Sequence, residues 1–252
     1  MKVHDTAERA DSRFDYLLGL GDDALIAAQR TAEWCARAPQ IEEDVALANI
    51  ALDLLGQARE LLSYAGEVEG RGRDEDALAF GRDEHEFRNV QLVELPDGDF
   101  ATAIAKMLFF GVYQRLLYSA LSEADDRRLA GIAAKAAKET AYHVDHAVTW
   151  TLRLGDGTAE SHRRMRTAVE QVWPFTHELF EPAGPVSVGV DPGVLRAPWT
   201  RLIEQVLARA TLRRPDDDWR PTGGRRGLHT EAFGRLLAEM QYLYRAHPGA
   251  RW

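Results

Sequence analysis

Residues 138–150 read KETAYHVDHAVTW, and the spacing places Glu139, His143, Asp145 and His146 on successive turns of one helix. Carboxylates and imidazoles set out in this way are the donor types of an iron site. Carboxylates bridge the ions, and neutral imidazoles complete each coordination shell. Helical bundles that hold a pair of irons take a Glu from each of two helices and Glu-x-x-His from each of the other two. The interval has a physical reason, since residues three apart share a helix face and can both reach the bundle axis.

The histidines are His4, His85, His143, His146, His162, His177, His229 and His247. None has a glutamate three residues before it, and the residues three before His143 and His146 are Thr140 and His143. Glu139, His143, Asp145 and His146 could form a smaller site. The competing expectation is a hydrogen-bonded core histidine on an otherwise polar helix edge. Burying carboxylates without a metal is costly, so a vacated site should be lined by apolar and neutral groups.

Three long stripes must position any such centre. They run Leu47, Ile50, Leu54, Gln57, Leu61, Tyr64, Val68; then Ala103, Met107, Phe110, Gln114, Leu117, Leu121; then Leu129, Ala133, Ala136, Thr140, His143, Ala147, Trp150, Leu154. Alternation by three and four turns each stripe toward the centre of a bundle of nearly antiparallel helices. At mid-bundle the inward positions are Leu54 with Gln57, then Phe110, then Thr140 with His143. One imidazole cannot hold two irons.

The pattern predicts helices over 14–37, 41–68, 99–123, 126–154, 158–180, 191–212 and 229–246. The fold class is all-α: a long four-helix bundle with additional C-terminal helices. Residues 1–12 read as a flexible arm and 13–252 as a single domain. Asp99 and Asp125 are the expected N-caps of the third and fourth helices. Pro39 separates the first two helices, and Gly155 and Gly157 end the fourth. The segment 69–98 reads as a charged stretch followed by an extended piece and a turn. The segments 181–193 and 213–227 read as loops.

Net charge is −9, which argues against a general nucleic-acid binder. No run of 18 apolar residues occurs, and the N-terminal residues lack the apolar core of a secretory signal. Cys35 is the only cysteine. A reducing, cytoplasmic setting is the expectation.

DVALANIALDLLGQARELLSYAGE (44–67), the following DALAFGRDEHEFRNVQLVELPDGDFATAIAK, and TGGRRGLHTEAFGRLLAEMQYL (222–243) resemble the family of C-type subunits of phenylacetyl-CoA epoxygenase. The resemblance runs from about residue 14 to Trp252. It implies a ferritin-like fold and a non-catalytic structural role, with no cofactor in this chain. The implied partners are a catalytic di-iron paralogue, a small accessory subunit and an iron–sulfur flavoprotein reductase that passes electrons from NADPH. The complex epoxidises the ring of phenylacetyl-CoA in aerobic phenylacetate catabolism. The resemblance also implies that the ligands of the catalytic paralogue fall on Leu54, Gln57, Phe110 and Thr140, with His143 kept. These five positions are then a degenerate metal site. The residues themselves leave two other readings open: a di-iron oxidase in its own right with an atypical ligand set, and a metal store.

Thr222–Gly227 is a glycine loop carrying two guanidinium groups, followed by His229. Glycine lets a backbone approach closely, and paired arginines suit phosphates and carboxylates. Gly223, Gly224, Arg225, Arg226 and His229 are therefore expected to contact a partner or an anion. Trp34, Trp173, Phe175 and Phe180 read as packing aromatics, and Asp216–Asp218 as solvated surface.

Overall fold

The computed structural model describes residues 2–182 and 189–250, with side chains from Ser12 onward within that span. Its helices are α1 (Lys2–Ala32), α2 (Ile41–Glu69), α3 (Glu75–Phe80), α4 (Phe100–Leu121), α5 (Arg127–Gly155), α6 (Ala159–Val172), α7 (Arg196–Arg209) and α8 (Glu231–Ala246). There is no strand among the described residues. Two helical hairpins, α1 with α2 and α4 with α5, close the bundle. Against it lie α6 and α7, while α8 packs on α3 and the turns at 84–94. No helix is long and apolar enough to cross a membrane among the described residues.

The central parts of the stripes are buried as their spacing requires, while Tyr64, Val68, Met107, Trp150 and Leu154 are half-buried. Leu47, Ile50, Leu54, Gln57 and Leu61 of α2 face inward, as do Phe110, Gln114, Leu117 and Leu121 of α4. Leu129, Ala133, Ala136, Thr140, His143 and Ala147 do the same from α5.

Several boundaries differ from the sequence expectation. Residues 2–12, read as an arm, continue the helix of α1. That helix stops at Ala32 rather than at 37, because Ala36 takes the left-handed conformation (φ 65°) and Pro39 follows. The cap of α5 is Asp126, not Asp125; its carboxylate accepts from the backbone N–H groups of Arg128 and Leu129. Asp99 caps α4 as expected, accepting from Thr102 N–H. After α6 the chain tightens into a 3₁₀ stretch over Trp173–Phe180, where Pro174 supplies no N–H to an α-helical ladder. The extended piece expected before α4 is a 3₁₀ turn, Gln91–Glu94. Of the loop expected over 181–193, residues 183–188 lie outside the described residues.

Candidate functional site

Five positions drawn from α2, α4 and α5 meet mid-bundle. Leu54, Gln57, Phe110, Thr140 and His143 are all buried. Leu54, Phe110, Gln114 and His143 line a cavity of about 40 Å³ that runs toward Trp34 and Lys106. Gln114 Nε2 donates to Gln57 Oε1 at 3.4 Å, and Gln57 Nε2 donates to Glu139 Oε2 at 3.0 Å. Gln114 Oε1 is buried with no hydrogen-bond partner. A cavity of this size beside it has room for water. Thr140 turns its hydroxyl back onto its own helix, donating to Ala136 O at 2.9 Å. The oxygen is thereby spent on α5 and offers no strong ligand to the axis.

The four polar residues of 138–150 do not share a centre. His143 Nε2 donates to Asp53 Oδ2 at 3.1 Å. His146 Nε2 lies 3.3 Å from Glu43 Oε2, too poorly aligned to form a hydrogen bond. That carboxylate instead accepts from Trp150 Nε1 at 2.6 Å. Glu139 serves Gln57, and Asp145 faces solvent. Burial pushes the pKa of His143 down, and the Asp53 carboxylate only partly offsets it. Burial likewise lowers His146. Both rings are therefore held toward the neutral form.

This donor set does not fit a di-iron centre. The five mid-bundle positions offer one imidazole, one amide, one self-satisfied hydroxyl and two hydrocarbon side chains. The imidazole nitrogen nearest a carboxylate is already engaged. Among the described residues, no three His, Cys, Asp or Glu side chains converge in a metal-binding arrangement.

The glycine–arginine loop takes a different role from the one its composition suggested. Arg225 is buried and pairs with Asp23 of α1, Nη2 to Oδ2 at 2.7 Å. Its Nη1 donates to the carbonyls of Gly19 and Arg88. Gly223 and Gly224 both donate their N–H groups to Glu178 Oε1. A Cβ on Gly224 would run into the Asn89 carbonyl, so the close approach that favours glycine is to the chain's own backbone. His229 is enclosed as well, its Nδ1 donating to Glu94 Oε1 at 2.5 Å. Of the five residues expected to contact a partner or an anion, only Arg226 is exposed, with Glu181 3.9 Å away. The segment is an internal strap across α1 and the 84–94 turns.

Sequence reasoning missed the acids that this strap answers. Asp22 and Asp23 sit inside an apolar run of α1, and both are buried. Asp22 receives Arg82 and the Arg88 N–H. Two carboxylates in such a run were the signal available. Asp216–Asp218 are exposed as expected, and Asp217 also accepts from Trp173 Nε1 at 2.9 Å and pairs with Arg214.

Residues 2–252 match the profile of a family described as phenylacetic acid catabolic protein. Over 243 residues the chain is 48% identical to the C-type subunit of 1,2-phenylacetyl-CoA epoxidase from Escherichia coli (strain K12), covering 94% of this chain and 98% of that one. Among solved structures it resembles protein 19 with aldehyde deformylating oxidase activity from Synechococcus, with a TM-score of 0.58 and 18% identity, covering 81% of this chain and 91% of that one. At that identity the likeness is one of fold, and the fold is ferritin-like.

Proposed function

The chain belongs to the phenylacetic acid catabolic protein family, and from that membership we propose that it is the structural, non-catalytic subunit of a phenylacetyl-CoA ring-epoxidising monooxygenase. The observation that carries the reading is the 48% identity to the C-type subunit of an epoxidase over nearly the whole of both chains. The non-catalytic half of the proposal is supported by the lining of Leu54, Gln57, Phe110, Thr140 and His143, which is too poor in carboxylates for two irons. On this reading the five positions are a degenerate metal site, and oxygen chemistry belongs to a di-iron catalytic partner of the same fold. A small accessory subunit and an iron–sulfur flavoprotein reductase complete the complex in the cytoplasm.

The test has two arms. The purified chain is loaded with ferrous iron under anaerobic conditions, desalted and assayed for metal. It is also mixed with the catalytic subunit and run on a sizing column. The expected result is no stoichiometric iron in this chain, co-elution with the partner, and ring epoxidation only when the partner is present. Two irons per chain would make it an oxidase with an atypical ligand set. Failure to co-elute would remove the subunit reading.

A further inference from the structure

We propose that the outward face of α2 is the surface on which the di-iron catalytic subunit docks, through a helix whose apolar stripe is bordered by lysine or arginine at one end. The proposal rests on the subunit reading above and adds the place and chemistry of the contact.

A helix at a bundle surface buries one face and presents a polar one to water. On α2 both faces are apolar. Leu47, Ile50, Leu54 and Leu61 are turned into the core. On the opposite side Ile41, Val45, Leu52 and Leu55 are exposed, Ile41 at 73% and Leu52 at 64%. Ala48 fills the interval, so the outer stripe steps by four, three, four and three. At about 100° per residue these five stay on one side of the helix. Such a stripe accepts a second helix at a shallow crossing angle, its side chains seated between those of the partner. The half-exposed small residue at its middle lets the axes approach. From Ile41 to Leu55 the stripe is about 21 Å long at 1.5 Å per residue, enough for four turns of a partner helix.

Charge decides between a second copy and a different chain. A twofold antiparallel pairing about Ala48 would set Ile41 over Leu55 and Val45 over Leu52, so the apolar parts would match. The same rotation keeps each flank on its own side. It would therefore bring exposed Glu42 of one copy beside half-buried Asp53 of the other. Like charges brought together in a closing interface disfavour that partner. The chain's net charge of −9 acts in the same sense. A different chain with basic residues facing Glu42 and Asp53 satisfies both the stripe and its border.

The experiment uses the full chain co-expressed with the catalytic subunit. Leu52→Glu with Leu55→Glu changes exposed positions only, and a circular dichroism melt serves as the folding control. Affinity for the catalytic subunit should fall at least about 100-fold, as expected when two central apolar anchors are lost. A second variant, Glu42→Lys, should weaken the complex about tenfold and flatten its salt dependence, a readout that a loss of folding would not give. If the wild type co-elutes and neither variant weakens it, the docking face is elsewhere while the subunit reading survives. If the wild type never co-elutes, both fail. If the chain alone forms a dimer that Leu52→Glu with Leu55→Glu splits, while the mixed complex survives, the occupant is a second copy and the proposal is overturned.

Discussion

Replacing Arg225 by Ala should destabilise the fold strongly, whereas replacing its neighbour Arg226 should do almost nothing. Arg225 is buried and lies 2.7 Å from a buried carboxylate. Removing one partner of a buried ion pair costs roughly 3–5 kcal/mol, because the other charge is left without compensation. The two carbonyls that Arg225 serves, of Gly19 and Arg88, lose a donor in the same change. Each adds up to roughly 1–3 kcal/mol if water cannot replace the donor. The loss is thus at least about 3 kcal/mol, a large part of the roughly 5–15 kcal/mol that holds a typical domain folded. Arg226 is exposed and meets Glu181 only at 3.9 Å, so Arg226→Ala should stay within about 0.5 kcal/mol. Urea titrations of the two single variants make the comparison, with Asp23→Asn and Arg225→Met, each alone and together, closing a double-mutant cycle. The double variant should be more stable than Arg225→Ala, since no lone charge remains buried. A loss below about 1 kcal/mol for Arg225→Ala, or equal losses for the two arginines, would refute the internal strap.

Two further outcomes follow from the mid-bundle. Leu54→Ala or Phe110→Ala should cost roughly 2–5 kcal/mol in denaturant titration, because each enlarges a cavity that already exists; a loss below about 1 kcal/mol would show that neither is central core. His143 has its pKa lowered by burial, so the unfolded chain takes up its proton first as pH falls below the ordinary 6.5. Its contribution is complete above pH 6.5 and is lost as pH falls toward the folded-state value. Burial raises Asp23 to about 6 from 3.8, which acts in the opposite sense between those pH values. The histidine effect is therefore read as a difference: His143→Gln should lose less stability than wild type between pH 7 and pH 5.5, and equal slopes would count against a buried neutral ring.

The bundle was legible because its long helices repeat one instruction over many turns. A three-four alternation sustained from Leu129 to Ala147 has one sensible packing, and local errors such as Asp125 for Asp126 do not disturb it. The mid-bundle lining was legible for the same reason, since Leu54, Phe110 and His143 occupy regular places on those stripes. The partners of its polar members were not. Nothing in the run around His143 announces that Asp53 will answer it, or that Glu139 will turn to Gln57. The strap at Gly223–His229 was misread because arginine is ordinarily a surface residue and a glycine cluster ordinarily marks a loop. A buried arginine is explained only by its carboxylate, and Asp23 is 202 residues away.

That separation has a consequence for the order of events during synthesis. Asp22 can meet Arg82 after 60 residues, but Asp23 must wait for a residue 202 positions later. At about 5–20 residues per second the interval is about 10–40 s. Throughout it Asp23 of the nascent α1–α2 hairpin lacks the guanidinium that pairs with it. Sealing Asp23 in early would bury an uncompensated charge, so the arrival of Arg225 acts as a late latch. The N-terminal hairpin is kept hydrated and reversible until the rest of the bundle exists to pack against it.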